Sequence, residues 1–556
     1  MLSDLMSTTG SLYGVACVLE ALPDGVLINL ASFLPLPDRL HLAQTSKKLR
    51  CRLHGDEKLW NRTVMSTHRD SGYFPSKLRG ASRFLQARAP SGCHVAIYMS
   101  EVKPDPAIWT VIGDELLPLA KTLLIHIDYE HYDGRGLHDP QILADEGFAN
   151  TVMDRFLMQP SEALHTLSIR SGSSDHCGST IYLPALFLGG TTASGSLRDL
   201  RLEEIRLSGT LNYPALSSVV RFDYAGGQYS TLPLIELQAI NCTMPQLEEL
   251  GLDFSRLEQA PSDSMAPSTL REVWILNFGS GSSGLLTEYF HLVPTITIRP
   301  IMHTDDLGAL QWPSSTFDLT LNAEGGFTVR TSHSYHRRVT IHLTDLERAI
   351  PPTQRNRVVS ITFAELWDSS YFPVLSPLPG VTLLRIVVSP CRDGWSSNSH
   401  LCSVFVNPSM LGDTLHLFPA LDRVEIIHNT TRSSKTADDG CRWLTEYPWP
   451  FRGRCCCSAT AVISLSVIAD FLQAIIPHGQ RISLLRFIGM DYVTDGEVVD
   501  ALRRLAEMVD VVDGAAHDTE TKQIVKEINT QVIAMSVIPT NLERSLKGVF
   551  VNSWLI

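Results

Sequence analysis

Residues 19–64 read LEALPDGVLINLASFLPLPDRLHLAQTSKKLRCRLHGDEKLWNRTV, and this stretch decides the fold of the N-terminal region. Pro23 suits the first turn of a helix, where its missing N–H costs nothing, and Asp24 suits the positive end of the helix dipole. An apolar stripe at helical spacing follows, formed by Val26, Leu27, Leu30, Phe33 and Leu34. The stretch therefore begins with an amphipathic helix.

Two further short helices are predicted after the break at Pro35 and Pro37. Asp38 can cap the second helix, and the third begins near Thr45 or Ser46 and ends near Gly55. Three short helices cannot bury so many large apolar side chains among themselves. Part of this surface is therefore expected to meet a partner.

Several short motifs occur here in a fixed order. They are Leu22-Pro23, the aliphatic helix, Leu34-Pro35 with Asp38, Ser46-Lys47-Lys48, and Glu57 followed by Leu59-Trp60. In this order and spacing the segment resembles an F-box. Two positions depart from the family pattern, because Gly25 replaces a usual acidic residue and Arg39 replaces a usual aliphatic one.

The resemblance implies that the segment docks to a Skp-family adaptor, which joins F-box proteins to a cullin scaffold and a RING subunit. In such ubiquitin ligases the F-box protein selects a protein substrate and does no chemistry. The adaptor contacts that the resemblance implies are Leu22, Pro23, Val26, Leu27, Leu30, Leu34, Leu40, Ser46, Leu49 and Trp60. The alternative interpretation is that residues 19–64 only cap the chain that follows.

From about residue 91 to 490 the sequence repeats a short strand of pattern apolar-x-x-apolar-x-apolar, followed by a loop and a helical or irregular return. The clearest cases are Leu164-Leu167-Ile169, Leu197-Leu200-Leu202, Leu247-Leu250-Leu252, Leu270-Val273-Ile275, Val293-Ile296-Ile298, Val358-Ile361-Phe363, Val381-Leu384-Ile386, Leu401-Val404-Val406, Leu421-Val424-Ile426, Val462-Leu465-Val467 and Ile482-Leu485-Phe487. Many of these begin 20 to 23 residues after the one before.

A period of about 20–29 residues with this pattern is typical of leucine-rich repeats, in which each unit buries its face on its neighbours. The array resembles that family, although Ser255, Phe278 and Leu366 stand where an Asn or Cys is usual, and only Asn429 matches. The sequence therefore predicts an α/β protein in which a small three-helix F-box precedes an irregular leucine-rich-repeat-like solenoid. A generic α/β domain is the alternative.

The expected domain order follows from these segments. Residues 1–18 form a flexible tail, 19–64 the F-box, 65–90 a helical linker and 91–490 the solenoid. Residues 491–556 form a helical cap and tail, with helical apolar spacing over 496–512. A polar and aromatic insertion at 429–458 interrupts the array.

Loops on one face of a solenoid often bind partners. The candidate substrate-binding side chains in the insertion are Trp443, Tyr447, Trp449 and Phe451. The same aromatic side chains could instead pack the insertion onto the array, and the sequence leaves both interpretations open.

The net charge of -13 and the lack of a dense basic patch argue against nucleic acid as a partner. The 11 cysteines include no C-x-x-C pair, so disulfides and zinc are not expected. The sequence shows no signal peptide and no membrane span. These features predict the cytoplasm or the nucleus.

Two stretches could carry chemistry. Gly279 to Gly284 match G-x-G-x-x-G between a strand and a plausible helix, but the next strand ends in Arg299-Pro300 rather than a ribose-binding acid. Residues 126–139 contain alternating His, Asp and Glu, which suits either a metal or a solvated strand end. No complete catalytic motif is present, so we expect no cofactor, no metal and no enzyme activity.

The sequence therefore predicts a substrate-recognition subunit of a ubiquitin ligase. The alternatives are an adaptor-binding scaffold without ligase function, and a dinucleotide-binding α/β protein that uses Gly279 to Gly284.

Overall fold

The structure is a computed structural model with mixed α/β architecture. It describes residues 19–32, 34, 36–66, 74–88, 92–99, 106–128, 156–172, 181–190, 196–208, 212–226, 230–254, 256–258, 266–276, 289–301, 312, 315–321, 326–331, 336–341, 350–364, 376–388, 417–428, 462–476, 480–489, 491–493 and 502–512. The chain divides into two compact units between Val273 and Trp274. Each unit is described by itself.

The first unit begins with helices and one strand. They are α1 (Asp24–Ser32), α2 (Leu36–Thr45), α3 (Lys47–His54), the four-residue α4 (Glu57–Trp60) and β1 (Arg62–Ser66). Because α2 begins at Leu36, Asp38 lies inside this helix, and the prediction that Asp38 caps it is wrong.

The chain then alternates helices with longer strands. Helix α5 (Phe74–Arg88) leads to β2 (Cys93–Met99), as its sequence predicts. Helix α6 (Pro106–Val111) continues into one π-helical turn at Ile112–Leu116 and leads to β3 (Ala120–Asp128). Ile112 and Leu116 of this turn are buried.

The remainder of the first unit consists mostly of short strands. They are β4 (Thr166–Gly172), β5 (Ile181–Tyr182), β6 (Asp199–Glu203), β7 (Ile205–Arg206), β8 (Arg221–Ala225), β9 (Thr231–Leu232), β10 (Glu249–Asp253) and β11 (Arg256–Leu257). One longer helix, α7 (Leu234–Thr243), lies between β9 and β10.

The main strands of this unit pair in parallel in chain order, β1-β2-β3-β4-β6-β8-β10. The register aligns Leu167 with Leu200, Leu200 with Phe222, and Phe222 with Leu250. These four side chains are buried, so successive strands contribute to one continuous core. The short strands pair separately, β5 with β7 and β9 with β11.

Strand β12 (Glu272–Leu276) lies at the division between the units. The second unit contains β13 (Thr295–Ile301), β14 (Phe317–Leu321), β15 (Gly326–Arg330), β16 (His336–Ile341), β17 (Val358–Ala364), β18 (Leu383–Val388), β19 (Arg423–His428), β20 (Val462–Ser464), β21 (Ile482–Ile488), β22 (Asp491–Val493) and β23 (Ala506–Val512). Among its helices are α8 (Pro352–Arg355) and α9 (Leu465–Ile475).

The sheet of the second unit has the order β13-β16-β15-β14-β17-β18-β19-β21-β23. Strand β15 is antiparallel to β14 and β16, and the other neighbours are parallel. Strands β20 and β22 form a separate parallel pair. The meander β14-β15-β16 therefore interrupts the chain-order pairing seen in the first unit.

Strands form at most positions where the repeated apolar pattern predicts them, and the apolar side chains of Leu247-Leu250-Leu252 and Val381-Leu384-Ile386 are buried. The pattern at 401–406 lies outside the described residues. The strand predicted for Val462-Leu465-Val467 is wrong beyond Ser464, because α9 begins at Leu465.

The helix predicted for 496–512 is also wrong over Ala506–Val512, which form β23 and pair in parallel with β21. The spacing of apolar residues there fits a helix, but pairing with a buried strand overrides this local preference.

Candidate functional site

Helix α1 has apolar side chains on two different faces. Leu27 and Ala31, four residues apart, are fully buried. Val26 and Leu30, also four residues apart, are 46% and 48% exposed. Pro23, immediately before the helix, is exposed as well. One face of α1 therefore packs inside the first unit, and the other presents apolar side chains to solvent.

The buried face of α1 contributes to a compact core shared by five helices, α1 to α5. Its fully or nearly fully buried members are Leu27, Ala31, Ala43, Leu49, Leu53, Leu59, Trp60 and Ala81. Ala81 comes from α5, so the core of the N-terminal helices continues into the next helix of the unit. Leu22 and Leu40 pack against this core and are half-buried.

Arg52 of α3 fixes the chain segment that leads into α1. Its Nη1 donates to the carbonyl of Glu20 at 3.0 Å, and its Nη2 donates to the carbonyl of Leu22 at 2.5 Å. Its Nε also lies 2.5 Å from Oδ1 of Asp24. The guanidinium of Arg52 thus binds the segment at Glu20, Leu22 and Asp24. These contacts position Leu22 and Pro23 beside the exposed face of α1.

Arg39 of α2 is buried, with 2% of its surface exposed. Its Nε donates to the carbonyl of Leu34 at 2.7 Å, and its Nη1 donates to the carbonyl of Leu59. Burial lowers the pKa of Arg39 to about 10, so the side chain remains protonated at neutral pH. Arg39, one of the two residues that depart from the family pattern, therefore connects the turn after α1 to α4.

Ser46 caps α3, as its sequence predicts. Its Oγ accepts a hydrogen bond from the backbone N–H of Leu49 at 3.0 Å, and Gly55 follows the last turn of the helix. The hydroxyl of Ser46 is thus engaged in the fold of the helix itself. Leu49 and Leu53 carry the buried side of α3.

Trp60 closes the core at the end of α4. Its Nε1 donates to the carbonyl of Leu53 at 2.8 Å. Its ring stacks on His54, with centroids 5.2 Å apart, and meets the ring of Phe84 edge-on at 4.9 Å. Because Phe84 belongs to α5, Trp60 joins the first four helices to the rest of the unit.

The structure separates the predicted adaptor contacts into three groups by exposure. Pro23, Val26 and Leu30 are exposed; Leu22, Leu34, Leu40 and Ser46 are half-buried; Leu27, Leu49 and Trp60 are buried. The exposed and half-buried side chains around α1 can touch another protein directly. The buried ones support the surface from inside.

A protein-family model described as F-box-like matches residues 19–66. The chain carries an F-box-like domain. This domain comprises α1 to α4 and β1, and it covers less than a tenth of the 556 residues. No curated protein matches the chain. Arg39 and Arg52, which also hold segments of the F-box-like domain together by hydrogen bonds, were not among the predicted contacts.

The other candidate sites cannot be placed in the structure. Trp443, Tyr447, Trp449 and Phe451 lie outside the described residues, as do Gly279 to Gly284 and the stretch from Tyr129 to Asp139. Within the described ranges, no group of three or more His, Cys, Asp or Glu side chains is arranged to hold a metal ion. No helix in the same ranges has the length and apolar character to cross a membrane.

Proposed function

We propose that this protein is the substrate-recognition subunit of a ubiquitin ligase, in which the F-box-like domain binds a Skp-family adaptor. The adaptor then joins the chain to a cullin scaffold and a RING subunit. The observation that carries this proposal is the F-box-like match at residues 19–66 together with the outward apolar face of α1.

The exposed face of α1 has the properties of a protein-binding surface. A helix with a single apolar face needs only one packing partner, whereas α1 places Leu27 inside and Val26 and Leu30 outside. Val26 and Leu30 project beside Pro23 and the half-buried Leu22. In this proposal these four side chains contact the adaptor, with Leu34 and Leu40 nearby, and the buried Leu27, Leu49 and Trp60 act by supporting them.

The remainder of the chain receives the substrate, which is another protein. In the first unit, parallel strands pair in chain order, and Leu200, Phe222 and Leu250 occupy the same register position. Successive parallel strands that pair in chain order are typical of leucine-rich repeats. We therefore propose that these strands belong to an irregular repeat array of that type. In this proposal Trp443 and its aromatic neighbours are candidate substrate contacts, and the chain is non-catalytic and acts in the cytoplasm or nucleus.

The test is co-purification of the full chain with a Skp-type adaptor after co-expression. The variant Val26→Asp/Leu30→Asp places two charges on the exposed face of α1 and is expected to lose the adaptor. The matched control is Gln86→Asp, an exposed position on α5 outside the F-box-like match, and it is expected to retain the adaptor. Retention of the adaptor by the double variant would overturn the proposal.

Point substitutions are preferable to removing the domain, because β1 pairs with β2 along its whole length. Deletion of the F-box-like domain would therefore disturb the sheet as well as the helices. Once adaptor binding is established, a ligase subunit is distinguished from a scaffold by its substrates. Proteins that the full chain binds accumulate in cells expressing the double variant if the chain serves a ligase, and their levels do not change if it is a scaffold.

A further inference from the structure

The sheet of the first unit has a second face, opposite the core, that carries mostly charged side chains. Side chains alternate between the two faces of a strand, so the neighbours of the buried Leu200, Phe222 and Leu250 point away from the core. We call this second face the polar face. Its described members, aligned in register from β4 to β10, are Thr166, Ser168 and Arg170 on β4, Asp199, Arg201 and Glu203 on β6, Arg221, Asp223 and Ala225 on β8, and Glu249, Gly251 and Asp253 on β10.

Solvent reaches the polar face. The side chains of Arg170, Arg221 and Glu249 are 44%, 42% and 39% exposed. Most parallel sheets are covered on both faces, so an open charged face is unusual for parallel strands. Stacked repeats are an exception, because they bind partners across a broad open surface. The polar face therefore offers a surface of that kind.

Ion pairs hold the charged side chains of the polar face in place. Nε of Arg170 lies 2.9 Å from Oε2 of Glu203, and Nη2 of Arg201 lies 3.4 Å from the same oxygen. Nε of Arg221 lies 2.9 Å from Oε2 of Glu249. Exposed pairs add little to stability. They do restrict the side chains before a partner arrives, which lowers the entropy cost of binding.

The charge of the polar face changes along the row of strands. Strand β4 contributes one guanidinium, β6 two carboxylates and one guanidinium, β8 one of each, and β10 two carboxylates. The face thus carries five carboxylates and three guanidiniums, and the largest excess of negative charge is on β10. A partner that complements this face is therefore basic, with its positive charges concentrated opposite β8 and β10.

Two carboxylates at this end of the polar face stand opposite small residues. Asp223 aligns with Gly251, and Asp253 aligns with Ala225. A Cβ at Gly251 would lie 2.6 Å from Oδ1 of Asp223, so the glycine lets this carboxylate lie against the backbone of β10. Ala225 places only a methyl group beside Asp253. Both carboxylates therefore lack a bulky neighbour on the paired strand that would hinder an approaching side chain.

We propose that the polar face binds a basic segment of the protein substrate, whose Lys or Arg side chains pair with Asp223, Glu249 and Asp253. Neighbouring strands are about 4.8 Å apart, so the four strands span roughly 14 Å, the length of about five extended residues. Within the described residues, no three carboxylates converge into a metal-binding group. Their spread over two strands fits several cations on one chain better than a single metal ion. The inference rests on the proposed role of the array in receiving a substrate.

Fluorescence anisotropy with the full chain alone tests this inference. The probe is a labelled peptide of alternating Lys and Ser, about ten residues long, and its comparison carries Glu in place of Lys. The Lys peptide is expected to bind, and the Glu peptide is not. Asp223→Asn/Asp253→Asn removes two charges from the polar face. This variant should bind the Lys peptide about five- to twentyfold more weakly, since each exposed ion pair contributes a factor of up to about five.

The matched control is Asp114→Asn/Glu162→Gln, which removes two charges from exposed positions of the first unit outside the polar face. It changes the net charge by the same amount and should retain the wild-type affinity, which separates local pairing from general attraction to an acidic chain. Glu249→Gln is a second variant on the polar face. It leaves Arg221 without this partner and should also weaken the Lys peptide. Circular dichroism checks that each variant is folded.

The outcomes separate this inference from the proposed function. Absence of binding between the Lys peptide and the wild-type chain would overturn the inference, and so would equal affinities for the polar-face variants and the control. Preferential binding of the Glu peptide would indicate an acidic partner and would overturn it too. Because the titration contains no adaptor, none of these results bears on adaptor co-purification, so the inference and the proposed function fail separately.

Discussion

The guanidinium of Arg206 and the carboxylate of Glu236 form an ion pair inside the first unit, with 3.0 Å between Nε and Oε1. Both side chains are almost completely buried. Arg206 also donates to the carbonyl of Thr231 at 2.7 Å and lies 5.1 Å from the centre of the Phe254 ring. The hydroxyl of Tyr224 donates to the other carboxylate oxygen of Glu236. The pair thus connects β7, β8 and α7 through one buried polar cluster.

Removing the Glu236 carboxylate from this cluster is expected to destabilise the folded chain. Glu236→Ala leaves the Arg206 charge buried without its ionic partner, and the free energy of unfolding should fall by about 3–5 kcal/mol. The control is Glu248→Ala, because Glu248 pairs with Arg271 at 3.9 Å on the surface. Exposed pairs contribute about 0–1 kcal/mol. The loss of unfolding free energy in each variant is measured by urea unfolding of the full chain, monitored by circular dichroism. Equal losses in the two variants would contradict the prediction.

The same carboxylate should make stability depend on pH. Burial raises the pKa of Glu236 above its ordinary value, although the hydrogen bond from Tyr224 and the charge of Arg206 oppose this shift. The folded chain therefore holds this proton more tightly than the unfolded chain does. It follows that the contribution of Glu236 to the free energy of unfolding falls as the pH rises above the ordinary value and through the folded-state pKa.

The measurement is the unfolding free energy of the wild type minus that of Glu236→Gln at several pH values. This difference is expected to fall as the pH rises above 4.5, the ordinary value for the carboxyl. The same subtraction with Glu248→Gln corrects for the general effect of removing one surface charge. A difference that rises over this range would show that the sign is wrong.

A second set of charges lies in one row across the second unit. Arg385, Glu425, Arg486 and Asp510 occupy the same register position on β18, β19, β21 and β23. Glu425 lies 2.9 Å from Arg385, and Arg486 lies 3.0 Å from Asp510. We expect Glu425→Ala to lower the free energy of unfolding by about 3–5 kcal/mol, since Arg385 is buried.

Asp510→Ala is the comparison within this row. Its side chain is 36% exposed, and Arg486 retains Glu425 as a second partner at 3.8 Å. The loss should therefore stay below about 1 kcal/mol. Urea unfolding of the two variants checks the order of the effects, and a greater loss for Asp510→Ala would contradict it.

Arg52 should matter for adaptor binding although it was not predicted to be a contact. Arg52→Ala removes the hydrogen bonds to the carbonyls of Glu20 and Leu22, each contributing about 0.5–1.5 kcal/mol. The segment that carries Leu22 and Pro23 then loses its anchor, and adaptor affinity falls. Arg50→Ala, an exposed position on the same helix, is the matched control and should retain the wild-type affinity. Calorimetric titration of the adaptor measures both.

The sequence predicts a strand correctly where the spacing of its apolar residues places them on one buried face. The triplet Leu247-Leu250-Leu252 predicts β10, because strand alternation places Leu250 and Leu252 on one buried face. Strand β8 was missed, although Val219, Phe222 and Tyr224 have the same spacing and are buried. The sequence of β8 has the apolar-x-x-apolar-x-apolar spacing with aromatic residues at its last two positions.

The remaining features depend on contacts between distant residues. Val26 and Leu27 belong to one apolar stripe in the sequence, and only the packing of α1 into the core that it shares with the neighbouring helices decides that Leu27 faces inward. The hydrogen bonds of Arg39 and two of those of Arg52 end on backbone carbonyls, which carry no sequence signal. The position of the F-box-like domain was therefore predictable, but the division of its residues between core and surface was not.

The pairing of β1 with β2 has a mechanical consequence. The backbone N–H of His94 donates to the carbonyl of Asn61 at 2.6 Å, and Thr63 aligns with Val95 in the parallel register. The last residues of the F-box-like domain, which form β1, are thus part of the parallel sheet of the first unit. A protein docked on α1 and a protein docked on that sheet would therefore be held at a separation that the β1–β2 pairing fixes, and a distortion at this junction would change that separation.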